Sequence, residues 1–113
     1  MKNFVTFHPD YELHIYGDGA EKETILDIIY SKHLERIIKV FPNTPNVHEL
    51  VINAAMFVST SDFEGLSNSM LEALSMGLPT ICTDCPCGGA RMVIEDGVNG
   101  FLIPVNNQKS LVE

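Results

Sequence analysis

Short strand-like runs alternate with helical segments along this 113-residue chain. The clearest case is the segment 54–83, in which an apolar run (54–59), a polar loop, a helical stretch (67–76) and another short run (80–83) follow one another. Two strands joined through a helix form a right-handed βαβ unit with parallel strands. The alternation therefore predicts an α/β fold with a Rossmann-like parallel sheet that carries helices on both faces.

The rest of the chain continues this pattern and is long enough for one small domain. Strands are predicted from alternating or continuous apolar residues, and helices from apolar stripes and turn signals. The further predicted strands are 12–16, 37–41 and 101–103, and the further helical segments are 20–31, 47–53, 91–94 and a last one that begins near Asn107.

The charge of the chain argues against nucleic-acid binding, and its cysteine content argues against a disulfide-rich or metal-binding protein. The net charge is −8, from 7 basic and 15 acidic residues, and nucleic-acid binders normally carry a basic face. No apolar run approaches the ~18 residues that span a membrane, and the N-terminus has no signal-peptide pattern. The cysteines Cys82, Cys85 and Cys87 are odd in number and clustered, so they predict neither a disulfide framework nor a closed metal site, and a reducing cytoplasm is expected.

Two carboxylates flank the start of the helix predicted over 67–76. Glu64 lies in the loop before it, and Glu72 follows after seven intervening residues, about 7–8 Å along the axis if the helix begins at Ser67. The free N–H groups of the first helical turn lie between them and form an anion site. Because ionised carboxylates accept hydrogen bonds from paired hydroxyls, the arrangement fits phosphates between two polyhydroxyl groups, as in a nucleotide sugar.

Four blocks of this sequence resemble, in order, the C-terminal donor-binding domain of group 1 retaining glycosyltransferases of the GT-B fold. Glu64 and Glu72 match the E-x7-E motif of that family, and the other blocks are LHIYGDG at 13–19, EALSMGLPT at 72–80 and DGVNGFLIP at 96–104. The resemblance implies that residues 1–113 form a partial nucleotide-sugar-binding domain, the truncated C-terminal half of a GT-B fold without its N-terminal acceptor domain.

The resemblance also implies a set of donor contacts. Glu72 would bind the ribose hydroxyls of the donor, and Glu64 would contact the transferred sugar. Backbone N–H groups at the start of the helix would meet sugar hydroxyls and the distal phosphate, and one glycine after the first strand would line the nucleotide side. These further donor-binding residues are Gly65, Leu66, Ser67, Asn68, Ser69 and Gly17.

The chemistry implied by the resemblance needs no metal and no cofactor other than the nucleotide-sugar substrate, which is expected to be a UDP-hexose. The loop 84–89 resembles loops of bacterial polysaccharide-assembly enzymes, so the expected product is a capsular polysaccharide, a lipopolysaccharide or another lipid-linked glycan. The full-length enzyme is expected in the cytoplasm or peripherally at the inner face of the membrane.

Two departures from the family bear on activity, the missing acceptor domain and the unmatched cations of the donor-phosphate site. A Lys and an Arg bind the donor phosphates in the family, whereas only Lys2 precedes the first block here and it does not match that motif. We therefore expect this chain alone to be inactive, and we expect uncovered sheet edges to favour self-association.

Two other functions stay open at this point. A non-catalytic Rossmann-like binding or assembly module is favoured by the missing N-terminal half. An NAD-dependent oxidoreductase has little support, because Gly17-x-Gly19 lacks the third glycine and the ribose-binding acid of the dinucleotide fingerprint. The four histidines, His8, His14, His33 and His48, show no ligand spacing and are expected at the surface or at strand edges.

Overall fold

A computed structural model describes residues 7–113. Its strands are β1 (Leu13–Tyr16), β2 (Ile38–Phe41), β3 (Phe57–Ser59), β4 (Thr80–Thr83) and β5 (Gly100–Ile103). Its helices are α1 (Lys22–Ser31), α2 (Val47–Val51), α3 (Asn68–Ser75) and α4 (Gln108–Val112), with a 3-10 turn at Ala90–Met92. All paired strands run parallel, which confirms the predicted α/β class. Lys2 lies outside the described residues.

The chain divides into two compact units, of which the first ends at Val47. In this unit β1 and β2 pair from Leu13↔Ile38 to Tyr16↔Phe41, and α1 connects them along the chain. Ile29 of α1 is buried. These elements form a βαβ unit.

The second unit contains a three-stranded sheet in the order β3-β4-β5. Helix α3 packs against β3 and β4. The buried residues Met70 from α3, Cys82 from β4, and Ala90 and Ile94 from the following segment form its core cluster. This packing places the N-terminus of α3 next to the loop that leaves the carboxyl end of β3.

Local signals explain both ends of α3. The Ser67 hydroxyl accepts a hydrogen bond from the Met70 amide and caps the N-terminus, as serine commonly does. Gly77 follows the last turn with φ +74°, and the Leu78 amide donates to the Ala73 carbonyl at 3.0 Å. A left-handed glycine with this bond is a Schellman stop, so the predicted helix 67–76 is confirmed with its bounds one residue shorter at each end.

Two predicted elements differ from the structure. Residues 54–56 are not part of β3, because the Ala54 amide donates to the Val51 carbonyl at 2.8 Å and completes the turn after α2. Pairing with the neighbouring strand begins at Phe57, whose amide donates to the Pro79 carbonyl. The helical segment predicted over 91–94 is the 3-10 turn Ala90–Met92, which ends because Val93 leaves helical geometry with a φ of −129°.

Candidate functional site

Hydrogen bonds join the polar loop after β3 to residues at the end of β4. The Ser61 carbonyl accepts hydrogen bonds from the Thr83 hydroxyl and, at 2.9 Å, from the Cys85 thiol. The Ser61 hydroxyl donates to Oε2 of Glu64 at 2.7 Å. Glu64 is half-buried, so its carboxylate is held beside the strand ends by contacts that lead back to the sheet.

Gly89 supports the same loop from its other side. A Cβ atom built on Gly89 would lie 2.0 Å from the Gly65 carbonyl oxygen and 2.6 Å from the Leu66 nitrogen. No side chain fits there, and the residue has an ordinary φ of −60°, so the glycine is required for close backbone approach. The pattern of the sequence does not predict this contact, for which the Gly88-Gly89 pair is the only signal.

A row of free backbone donors follows Glu64. Within residues 7–113, the amides of Gly65, Leu66, Ser67, Asn68 and Ser69 donate to no protein acceptor. The first amides of α3 with protein partners are those of Met70, to the Ser67 hydroxyl, and Leu71, to the Ser67 carbonyl. Together with the positive end of the α3 dipole, these free N–H groups can bind an anion.

Glu72 lies further along α3 and faces a residue from another element. Its Oε2 atom is 3.4 Å from Nε2 of His48, and 46% of the Glu72 side-chain surface and 49% of the His48 side-chain surface are exposed. His48 is exposed, as its sequence context predicts. Its contact with Glu72 has no signal in the sequence, because no spacing rule links the two positions.

Burial and the nearby Glu64 carboxylate raise the pKa of the Cys82 thiol to about 11. A thiol held in its neutral form is a poor nucleophile, so Cys82 serves the core rather than covalent chemistry. Cys82 also lines a cavity of about 10 Å³ beside Ser61, Glu64 and Gly65, a space for about one water molecule.

The last predicted site residue, Gly17, belongs to the first unit. Its amide donates to the Phe41 carbonyl at 3.0 Å, at the carboxyl end of β1. The next residue, Asp18, accepts from Nζ of Lys22 at 2.8 Å and from the Asn43 amide at 2.7 Å. These bonds, that of Lys22 above all, lower the pKa of the Asp18 carboxyl. The bond from the Asn43 amide also joins the turn after β1 to the loop after β2.

Neither a metal cluster nor a membrane span is found in the described part of the chain. Residues 7–113 contain no group of three His, Cys, Asp or Glu side chains that could hold a metal ion. No helix among them combines the length and the apolar character needed to cross a bilayer.

The sequence model of the family "Glycosyl transferases group 1" matches residues 1–113. The chain belongs to the group 1 glycosyltransferases. The match covers both units and the polar loop after β3, and it confirms the resemblance to the C-terminal domain of this family that the four sequence blocks indicated.

Named relatives agree with this membership. The poly(ribitol-phosphate) alpha-N-acetylglucosaminyltransferase of Staphylococcus aureus is 33% identical over 102 residues, which are 90% of this chain and 20% of that protein. The G117R mutant of S. aureus TarM, solved with Fondaparinux, alpha-GlcNAc-glycerol and UDP, superposes with a TM-score of 0.88 at 33% identity, over 94% of this chain and 21% of that chain. The pneumococcal O-GlcNAc transferase GtfA, solved with UDP and GlcNAc, gives a TM-score of 0.82 at 30% identity, over 93% of this chain and 20% of GtfA.

The chain is much shorter than these relatives. It spans between 15% and 31% of the length of the curated relatives that it matches. The similarity therefore describes one region of those proteins, and their complete activities enter here only as proposals.

Proposed function

We propose that this chain is the donor-binding part of a retaining glycosyltransferase that moves a sugar from a nucleotide sugar, with UDP as the nucleotide, to a cell-surface polysaccharide or lipid-linked glycan. The observation that carries the proposal is the row of free amides from Gly65 to Ser69 between Glu64 and Glu72. The chemistry of that row matches a diphosphate between two hydroxyl-rich groups.

Each part of the donor has a matching group on the protein. The amides of Asn68 and Ser69 at the N-terminus of α3 bind the distal phosphate, where the helix dipole favours negative charge. Glu72 accepts hydrogen bonds from the ribose hydroxyls. Glu64, held by Ser61 at 2.7 Å, accepts from hydroxyls of the transferred sugar, and the amides of residues 65–67 donate to that sugar.

Relatives support the choice of UDP. TarM and GtfA, at 33% and 30% identity to this chain, were both solved with UDP. The name of the S. aureus relative gives poly(ribitol phosphate) and N-acetylglucosamine as its substrates. These names favour a UDP-sugar donor and a bacterial surface polymer as acceptor in this protein.

The proposal is tested by calorimetric titration of the protein, expressed from its complete reading frame, with UDP, UDP-glucose and UDP-N-acetylglucosamine. Glu72→Ala should weaken UDP binding about tenfold or more, because hydrogen bonds to a charged acceptor are worth ~1.5–3 kcal/mol. Glu49→Ala is the matched control, since Glu49 is an exposed glutamate on α2 with no side-chain partner in the described residues.

Two outcomes would contradict this proposal in different ways. Absence of UDP binding, or an unchanged dissociation constant in Glu72→Ala, would remove the donor-binding role. Binding of UDP-sugars without release of UDP in the presence of glycan acceptors would instead identify a non-catalytic binding module.

A further inference from the structure

We infer that His48 is a positioning residue of the donor site, which orients the Glu72 carboxylate for the ribose hydroxyls of the nucleotide. The inference rests on the proposed donor-binding function of Glu72. Its structural basis is the distance of 3.4 Å between Nε2 of His48 and Oε2 of Glu72.

Helix α3 itself gives Glu72 no cationic partner. The positions three and four residues away on the same helical face, which are the ones that can interact, hold Asn68, Ser69, Ser75 and Met76. Within residues 7–113, no side chain other than that of His48 forms a hydrogen bond or an ion pair with the Glu72 carboxylate. The orientation of this carboxylate therefore depends on a residue of α2.

The contact occupies one oxygen and leaves the other available. At 3.4 Å, the contact between Nε2 of His48 and Oε2 of Glu72 is an ion pair when the imidazole is protonated. Oε1 of Glu72 has no partner in the described part of the chain and remains open to a ribose hydroxyl.

The expected effect is moderate, because both side chains are about half exposed and exposed ion pairs contribute little to stability by themselves. The contact favours binding because a Glu72 side chain that is already ordered before the ligand arrives loses less rotamer freedom on binding. Immobilising one flexible side chain costs an amount that corresponds to about a two- to twelvefold change in affinity. We expect His48→Ala to raise the dissociation constant of UDP within that range.

Two variants separate positioning from a general effect on α2. His48→Gln can place its amide nitrogen near the position of Nε2 and should restore most of the affinity. Glu49→Ala changes the next residue of the same short helix and should leave UDP binding unchanged. Circular dichroism and thermal unfolding confirm that each variant is folded.

The decisive measurement is a double-mutant cycle in the protein expressed from its complete reading frame. If His48 acts through Glu72, His48→Ala adds no further loss in a Glu72→Ala background. The loss caused by His48→Ala should also disappear when the ligand is 2′,3′-dideoxy-UDP, which lacks the ribose hydroxyls.

The outcomes distinguish this inference from the proposed function. If Glu72→Ala weakens UDP binding while His48→Ala leaves it unchanged, or if the two losses simply add, the positioning role is overturned and the donor site stands. An equal loss for UDP and its dideoxy analogue also overturns the role. If Glu72→Ala has no effect, the proposed function fails, and the positioning role fails with it.

Discussion

Replacing Gly89 by alanine tests whether this residue supports the polar loop after β3, which contains Gly65 and Leu66. The added Cβ would lie 2.0 Å from the Gly65 carbonyl oxygen and 2.2 Å from the carbonyl carbon, about 1.5 Å short of ordinary van der Waals contact. Both atoms belong to backbone, which has no rotamer to change. The variant must therefore push the loop containing Gly65 and Leu66 away from the segment that follows β4.

The free energy of unfolding that Gly89→Ala loses can be estimated from known costs of overpacking. Inserting a methyl group into a tightly packed position typically costs about 1–3 kcal/mol, and a clash against backbone belongs at the upper end. The φ of −60° at Gly89 suits alanine, so the expected loss arises from the clash alone. A loss of ~3 kcal/mol in the free energy of unfolding lowers the melting temperature of a domain of this size by about 12 °C or more.

Urea and thermal unfolding of Gly89→Ala measure this loss, and titration with UDP-sugars measures the effect on the loop. Gly19→Ala is the control, because a Cβ at Gly19 meets no atom within 4 Å. Gly89→Ala should also weaken UDP-sugar binding, since the amides of Gly65 and Leu66 move with the loop. If Gly89→Ala unfolds at the same urea concentration as the control and binds donors equally well, the proposed close approach is refuted.

Two further predictions concern the groups around Glu64. Ser61→Ala removes the 2.7 Å hydrogen bond to Glu64. It should weaken UDP-sugar binding by about 1 kcal/mol and leave UDP binding unchanged. Equal losses in titrations with both ligands would contradict the assignment of Glu64 to the transferred sugar. Cys82, with its pKa raised to about 11, should resist iodoacetamide at pH 8 while the exposed Cys87 reacts, as peptide mass spectrometry would show. Since folding raises this pKa from 9.0, stability should fall as the pH rises from about 9 through 11; a flat urea midpoint over that range would contradict the buried thiol.

The features that the sequence predicted well have local causes. Helix α3 is bounded by the Ser67 cap and by Gly77 with φ +74°, and each of these signals acts within a few residues. The strand predicted at 80–83 is β4, because a helix stop and a proline precede it. Signals that act within a few residues were therefore sufficient to predict these elements from the sequence.

The features that the sequence pattern did not predict are contacts between segments that lie far apart along the chain. Gly89 against Gly65, the Cys85 thiol on the Ser61 carbonyl, and His48 beside Glu72 each join elements that no periodicity connects. The overlong prediction for β3 has a related cause. Residues 54–56 are apolar enough for a strand, but the Ala54 amide completes the turn after α2 and pairing with β4 begins only at Phe57.

Glu64 and Glu72 are held in different ways, and under the proposed function this difference bears on donor recognition. Glu64 is half-buried and bonded at 2.7 Å to Ser61, whose carbonyl is in turn bonded to the residues after β4. Glu72 is about half exposed, and its partner His48 is 3.4 Å away. Under the proposed function, the carboxylate that contacts the transferred sugar is therefore held by contacts that lead back to the sheet, whereas the carboxylate at the ribose end is held by a single contact with the exposed His48. Substitutions near Glu64 should consequently alter which sugar is accepted, while substitutions near Glu72 should alter the affinity for every donor that shares the same nucleotide.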